Sequence, residues 1–281
     1  MIELKKITLS TASSSLELFI SPSETDRYMI TDVTGIGPMP IEVNTTTSTG
    51  PGSIYSGSHP ADRESSIRFE LNPDWKLRET AAQLRSRLYA LLSGGGDNSV
   101  TVTISDDYEA ASSVGYVKNI EVIHYSQVPE AIVTIRHPSP YYQSTKLDQY
   151  AALETVKTVD GVTWYEYASE INNEDCAPSG LKVEAALTSH TDLKMELEAQ
   201  YTGKLGYVGP PVATATEDVY TIVTVPGERE LHSTRKGLLI GHLTPTSTWP
   251  MLSSAMETVI LRSTVPATGV IFWVRRQWWG F

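Results

Sequence analysis

The chain has 281 residues, 40% hydrophobic and 20% charged, which is ordinary for a soluble globular protein and leaves room for two average domains or one large β domain. Its formal net charge of −11 is spread evenly, with 11 basic and 17 acidic residues from Met1 to Pro140 and 11 and 16 from Tyr141 to Phe281, so neither half is built to grip nucleic-acid phosphates. The lone cysteine, Cys176, excludes an internal disulfide framework, and no stretch reaches the roughly 18 apolar residues of a membrane span or the core of a signal peptide, which places synthesis in the cytoplasm.

Short strands separated by turn residues dominate the first half. Strand patterns fall at 2–9, 16–20, 28–33, 41–46, 66–71, 99–104, 116–123 and 130–136, several alternating with period two as half-buried antiparallel strands do. Residues 45–63, rich in Gly, Ser, Thr and Pro, read as a long loop or extended arm. One helix is predicted over Asn72 to Gly96. Asn72 would cap it, Pro73 would open it, and Gly94 to Gly96 would end it. Leu77, Ala81, Leu84, Leu88 and Leu91 fall on one apolar stripe. Arg78, Arg85 and Arg87 lie off that stripe, on a solvated face or against an acidic neighbouring subunit.

The alternating run Ile132, Val133 and Ile135 then stops at "HPSPYY". Pro138 and Pro140 cannot continue a sheet, because each lacks a backbone donor. Helix content falls and aromatic content changes after this point, so it reads as a seam between a domain 1–140 and a domain 141–281. Tyr141 and Tyr142 are expected to pack between the two. Beyond the seam, strand patterns recur at 163–171, 180–187, 193–199, 218–225, 237–243, 257–263 and 269–276, with 193–199 equally compatible with helix. About seven strands without a notable helix predict an antiparallel β-sandwich. The fold class is therefore mainly β.

Signals of chemistry are sparse. None of His59, His124, His137, His190, His232 and His242 has helical metal-ligand spacing. Asp106, Asp107 and Glu109 match a calcium loop only loosely, and "INNEDC" supplies the Asn and Asp of a tight turn. Cys176 lacks a flanking base, no nucleophile elbow is present, and "SGGGD" follows a helix rather than opening one. The expectation is no catalytic residue, no cofactor and no metal, hence a binding or assembly role rather than an enzyme. Aromatic residues concentrate in the second half, where Trp249 could line a sugar-binding face or pack in a core. Trp278 and Trp279 in "RRQWWGF" would be costly if exposed, so they are expected to dock on the first domain or on a partner.

Taken in order, several segments resemble the distal tail protein family of long-tailed siphovirus bacteriophages, which forms the tail-tip or baseplate hub. The resemblance runs through "YMITDVTGIGPMPIEV" (28–43), the Gly/Ser-rich arm, the Arg-led strand "RESSIRFEL" (63–71), the helix, and "YVKNIEVIHYSQVPEAIVTIRHPSPYY" (116–142). It continues in "INNEDCAPSGLKVEA", "TIVTVPGERELHS", "TSTWPMLS" and the Trp-rich end. Two segments depart from the pattern: "GPGSIY" stands where an Asp-Gly pair is common, and "SAMETVI" replaces a Gly-x-Asn. The resemblance implies a β-barrel-like or split-barrel first domain with one packed helix and a galectin-like or carbohydrate-module-like second domain. It also implies a homo-hexameric ring in the virion tail tip. Tail tube protein would join one side, and a tail-associated hub or fibre protein the other. Receptor-binding protein would be carried outside, and DNA would pass through a channel without specific binding. An acidic protein suits such a channel, since like charge discourages DNA from sticking. No membrane contact is implied. The alternative is a carbohydrate-binding module that touches the host surface directly.

Overall fold

The computed structural model describes residues 4–23, 26–38, 41–47, 53–93, 99–123, 128–174, 176–188, 193–209 and 217–280. His124, His190, Gly94 to Gly96 and residues 48–52 of the expected arm lie outside them. The protein is mainly β, and its residues divide into two compact units: Met1–Thr145 with Trp278–Phe281, and Lys146–Gln277.

The first unit contains β1 (Lys6–Ser10), β2 (Ser15–Phe19), β3 (Tyr28–Thr34), β4 (Ile41–Thr47), β5 (Ser53–Pro60), β6 (Arg63–Leu71), α1 (Ala81–Ser93), β7 (Ser99–Ser105), β8 (Ala110–Ile123), β9 (Glu130–His137) and β10 (Tyr142–Ser144). Seven of these strands close a barrel in the order β8-β7-β1-β2-β3-β6-β9, with β9 pairing back onto β8. Closure depends on the 14 residues of β8. From Ala110 to Tyr116 it pairs with β7, and from Tyr116 to Ile123 with β9. A register shift between Val117 and Asn119 lets one strand serve both partners. Period-two burial fills the barrel: Ile67, Phe69 and Leu71 from β6, Val100, Val102 and Ile104 from β7, and Ala131, Val133 and Ile135 from β9.

β4 and β5 pair only with each other, as a two-stranded sheet separate from the barrel. The expected loop or arm at 45–63 is thus largely a β-hairpin. The β-branched run Ile41, Val43, Thr45 and Thr46 favours extended backbone more strongly than the surrounding glycines oppose it.

The helix starts eight residues later than its Asn72 cap and Pro73 opening suggest. Asp74 instead caps a 3-10 turn at Trp75–Leu77, accepting the Lys76 amide at 2.8 Å. Arg78 then adopts a left-handed conformation at φ 53°, which a continuing helix cannot hold. The true start is a capping box at Thr80 and Gln83: the Gln83 amide donates to Thr80 Oγ1 at 3.3 Å, and the Thr80 amide donates to Gln83 Oε1 at 2.8 Å. Leu84, Leu88 and Leu91 of the expected stripe are buried against the barrel, whereas Leu77 is exposed because it precedes the helix.

The second unit contains β11 (Asp148–Ala151), β12 (Leu153–Val159), β13 (Val162–Asn172), β14 (Leu181–Leu187), β15 (Lys194–Ala199), β16 (Gly203–Val208), β17 (Asp218–Val223), β18 (Glu230–Ser233), β19 (Gly237–Leu238), β20 (Met256–Ser263) and β21 (Ala267–Val274). β22 (Gln277–Trp278) follows and pairs with β10. Two antiparallel sheets, β11-β21-β14-β17-β18-β19 and β12-β13-β20-β15-β16, face one core that includes Val183, Phe272, Tyr220, Met195, Leu197 and Leu261. The ambiguous segment 193–199 is a strand, because Met195, Leu197 and Ala199 alternate into that core. The expected strand at 237–243 is only Gly237–Leu238, after which a 3-10 turn at Ile240–His242 takes over. Asp160 (φ 51°) and Gly161 (φ 78°) supply the two left-handed residues of a tight β12–β13 turn.

Candidate functional site

The most unusual side chain of the first unit is Arg63. It opens β6 in phase with Ser65, Ile67, Phe69 and Leu71, so the period that buries those residues also buries the guanidinium, which is 0% exposed. A buried cation needs compensation. Here it comes from backbone carbonyls. Nη1 donates to Gly35 and Gly37 O, each at 3.1 Å, and Nη2 donates to Pro140 O at 2.8 Å and to Trp279 O. The Arg63 Cζ sits 4.6 Å from the centroid of the Tyr142 ring, an additional cation–π contact. One side chain therefore ties together the turn after β3, the segment between β9 and β10, and the Trp278–Phe281 segment. Gly35 is required by this packing. Its φ is +76°, and a Cβ there would stand 1.9 Å from the Glu64 carbonyl oxygen.

Burial lowers the Arg63 pKa, an effect opposed by Tyr142, and the Tyr142 phenol is pushed up to about 12, again chiefly by burial. His137 completes the cluster, with its ring centroid 6.1 Å from that of Tyr142. Its Nε2 lies 2.9 Å from Ser65 Oγ and its Nδ1 lies 3.1 Å from Ser113 Oγ. Desolvation first, and then the Arg63 charge, lower its pKa to about 4, so the imidazole is neutral at pH 7. A neutral ring donates from one nitrogen and accepts at the other, and two serine hydroxyls can serve both.

The structure gathers most of the residues singled out from the sequence at this cluster. Pro140 supplies a carbonyl, and Tyr142 supplies the platform. Trp279 supplies a second carbonyl, and its ring meets Tyr141 edge-on at 4.8 Å. Trp278 is buried in the same unit, and Pro138 is exposed beside a shallow cavity of about 300 Å³ that Tyr141 also lines. Trp249 is not part of this group; it packs against the core of the second unit. Sequence reasoning missed Arg63, Ser65 and Ser113 as members. The available signal was an arginine in phase with four inward residues of a period-two strand.

Two surface features stand apart. The β4–β5 hairpin exposes Ile41, Val43 and Tyr55. In the second unit, Lys157, Glu166, Arg262 and Glu198 form a row of ion pairs across β12, β13, β20 and β15, with Arg262 Nε 2.7 Å from Glu166 Oε1. The hydrogen bond from Lys157 is the largest influence on Glu166 and holds its carboxyl below the usual range against the opposing effect of burial. Among the described residues, no group of three or more His, Cys, Asp or Glu is placed to hold a metal ion, and no helix is long and apolar enough to cross a membrane.

No family model matches the chain, and no curated protein does. Solved structures do share its fold. The Dit protein of phage SPP1, described as a paradigm of the hub adsorption apparatus in phages infecting Gram-positive bacteria, aligns with a TM-score of 0.61 at 16% identity, over 96% of this chain and 98% of its own. A chain of the phage P2 baseplate in its activated, calcium-containing conformation aligns with a TM-score of 0.50 at 6% identity, over 98% of both chains. At these identities the likeness is one of fold, and it runs from end to end.

Proposed function

We propose that this chain is a structural protein of a phage tail tip and that six copies close into a ring. The ring joins the tail tube protein on one side to the tail-associated hub or fibre protein on the other. It carries receptor-binding protein outside and leaves a channel through which DNA passes. The observation that carries this reading is the end-to-end fold likeness to the SPP1 hub protein, over 96% of this chain and 98% of that one. Both units, in the same order, are needed for such a match; a likeness of one sandwich alone would not point to a hub.

Three further features support it. The β4–β5 hairpin shares no strand with the barrel and leaves Ile41, Val43 and Tyr55 exposed, as a strand pair meant for a neighbour would. The net charge of −11 suits a channel that DNA must leave freely. The buried Arg63 guanidinium holds three backbone segments together and the buried His137 joins two serine side chains, which fits an assembly part better than a site of turnover.

The test is the mass of the purified protein by light scattering, together with electron micrographs of the particles. A species of six chain masses with a central hole is expected. A strictly monomeric protein at high concentration, with no rings in any image, would overturn the proposal.

A further inference from the structure

Arg63 Nη2 holds two carbonyls that stand far apart in the chain. One is Pro140 O, at 2.8 Å, in the segment that leads out of the first unit. The other is Trp279 O, in the segment that re-enters it. Between the two lies the whole second unit, Lys146–Gln277. Two acceptors of one nitrogen lie within about 6 Å of each other, so the guanidinium pins the exit and the return of the chain at one point.

The returning segment sits in a built site. Trp278 is buried, and the Trp279 ring meets Tyr141 edge-on at 4.8 Å. Gly280 packs so closely on the turn after β3 that a Cβ there would stand 2.3 Å from the Gly37 carbonyl carbon. Gly37 O in turn accepts from Arg63 Nη1 at 3.1 Å. Three consecutive residues thus each have a fitted place: burial for Trp278, a donor and an aromatic edge for Trp279, and a slot that admits only glycine for Gly280.

This site is separable from the barrel. β22 joins the sheet at its outer end, in the order β22-β10-β8, whereas the barrel closes through the pairing of β8 with β9. Withdrawing the segment breaks no barrel ladder. It leaves Arg63 Nη2 with Pro140 O alone and takes the Trp279 ring from Tyr141. Synthesis imposes an order on these events. Residues 278–280 are made only after all of Lys146–Gln277, so every barrel strand exists well before they do, and domains fold as they emerge. We propose that Trp278–Gly280 is a latch. The barrel folds first and stays open at the Arg63 site while the second unit is made. The segment then binds there as a peptide ligand would, and completes the first unit last. The ligand of the site is an extended Trp-Trp-Gly segment supplied by the chain itself, and the barrel persists in an open form without it. The latch acts within one chain, so it stands apart from the ring reading.

The experiment uses the full chain carrying Gly280→Val, which blocks the slot, beside wild type. Hydrogen exchange read by mass spectrometry should be about tenfold faster in the variant at 35–38 and in β10, with β7, β14 and β20 at wild-type rates. A labelled peptide of residues Gln277–Phe281, followed by fluorescence anisotropy, should bind the variant about tenfold more tightly than wild type, whose site is filled. At saturation it should restore slow exchange at 35–38 and in β10. Trp279→Ala is a milder second variant. It keeps the carbonyl that Arg63 holds, removes only the ring on Tyr141, and should give the same pattern at smaller amplitude. Wild-type exchange in both variants would mean that the segment is not held at this site. Lost protection of β7, or global unfolding, in both would make the segment part of the barrel core rather than a latch on it. A peptide that neither binds Gly280→Val nor slows its exchange would mean that no open site forms. Each of these three results would overturn the inference.

Discussion

Arg63 lies against the ring of Tyr142, its Cζ 4.6 Å from the centroid, and from that position it donates to four backbone carbonyls drawn from three other segments. Removing the guanidinium would leave four inward carbonyls without a donor. Arg63→Met should therefore destabilise the first unit by about 3–5 kcal/mol, the usual cost of breaking a buried charged network. Arg63→Lys should recover only part of this loss, since one ammonium cannot span acceptors laid out for a planar fork. Denaturant titration followed by fluorescence measures both, and a loss below 1 kcal/mol for Arg63→Met would show that water or repacking satisfies the carbonyls.

His137 gives the fold a dependence on pH. Its pKa is about 4 in the folded protein against 6.5 for the unperturbed side chain, so unfolded chains bind a proton that folded chains refuse. The stabilisation is complete above pH 6.5 and is lost as pH falls from 6.5 towards 4. A shift of this size corresponds to about 3 kcal/mol. His137→Gln keeps a donor and an acceptor for Ser65 and Ser113 but cannot titrate. Chemical denaturation at pH 7.5, 6, 5 and 4 should show a falling stability for wild type and a flatter line for the variant between 6.5 and 4. Parallel lines would mean that other groups set the acid response.

What the sequence disclosed depended on how local its physics was. Alternation alone located β7 and β9 closely, because burial on one face of a strand acts every second residue. The barrel came only with the family resemblance and not from alternation, since its closure depends on β8 changing partner near Tyr116, a choice of register between distant strands. The helix start was misplaced for a different reason. Asn72-Pro73 is a genuine start signal, but Asp74 uses the local amides for a 3-10 turn, while the Thr80-x-x-Gln83 box that governs the true start was in plain view. The Arg63 cluster was hidden most deeply. Its acceptors are main-chain carbonyls, which leave no residue pattern, and only the inward phase of the arginine on β6 hinted at it.

The hairpin carries a separable prediction. Ile41, Val43 and Tyr55 are exposed and belong to a sheet that shares no strand with the barrel. Replacing all three with serine should leave stability nearly unchanged, within about 0.5 kcal/mol per site. If a neighbouring copy covers them, each buried side chain contributes about 1.5–3 kcal/mol to association. Assembly should then weaken at least about 100-fold. Thermal denaturation and light scattering on the same samples separate the two effects. Full assembly of the triple variant would remove the hairpin's apolar face from the interface.

Tyr141 and Tyr142 are adjacent but should behave differently. Tyr142 is 0% exposed, under the Arg63 guanidinium and beside His137, whereas Tyr141 is half-buried and meets the Trp279 ring edge-on. Tyr142→Ser removes a fully buried ring and the platform of a buried cation, so it should cost about 3–5 kcal/mol. Tyr141→Ser should cost about 1 kcal/mol, the scale of one aromatic pair. The Tyr142 and Arg63 losses should not add, because each removes the same contact. Hydrogen exchange read by mass spectrometry resolves the outcome by segment. Tyr142→Ser should speed exchange in peptides of β6 and β9 and leave β14 and β20 at wild-type rates. Unchanged protection of β6 and β9 would mean that the stack orders Arg63 without stabilising the barrel.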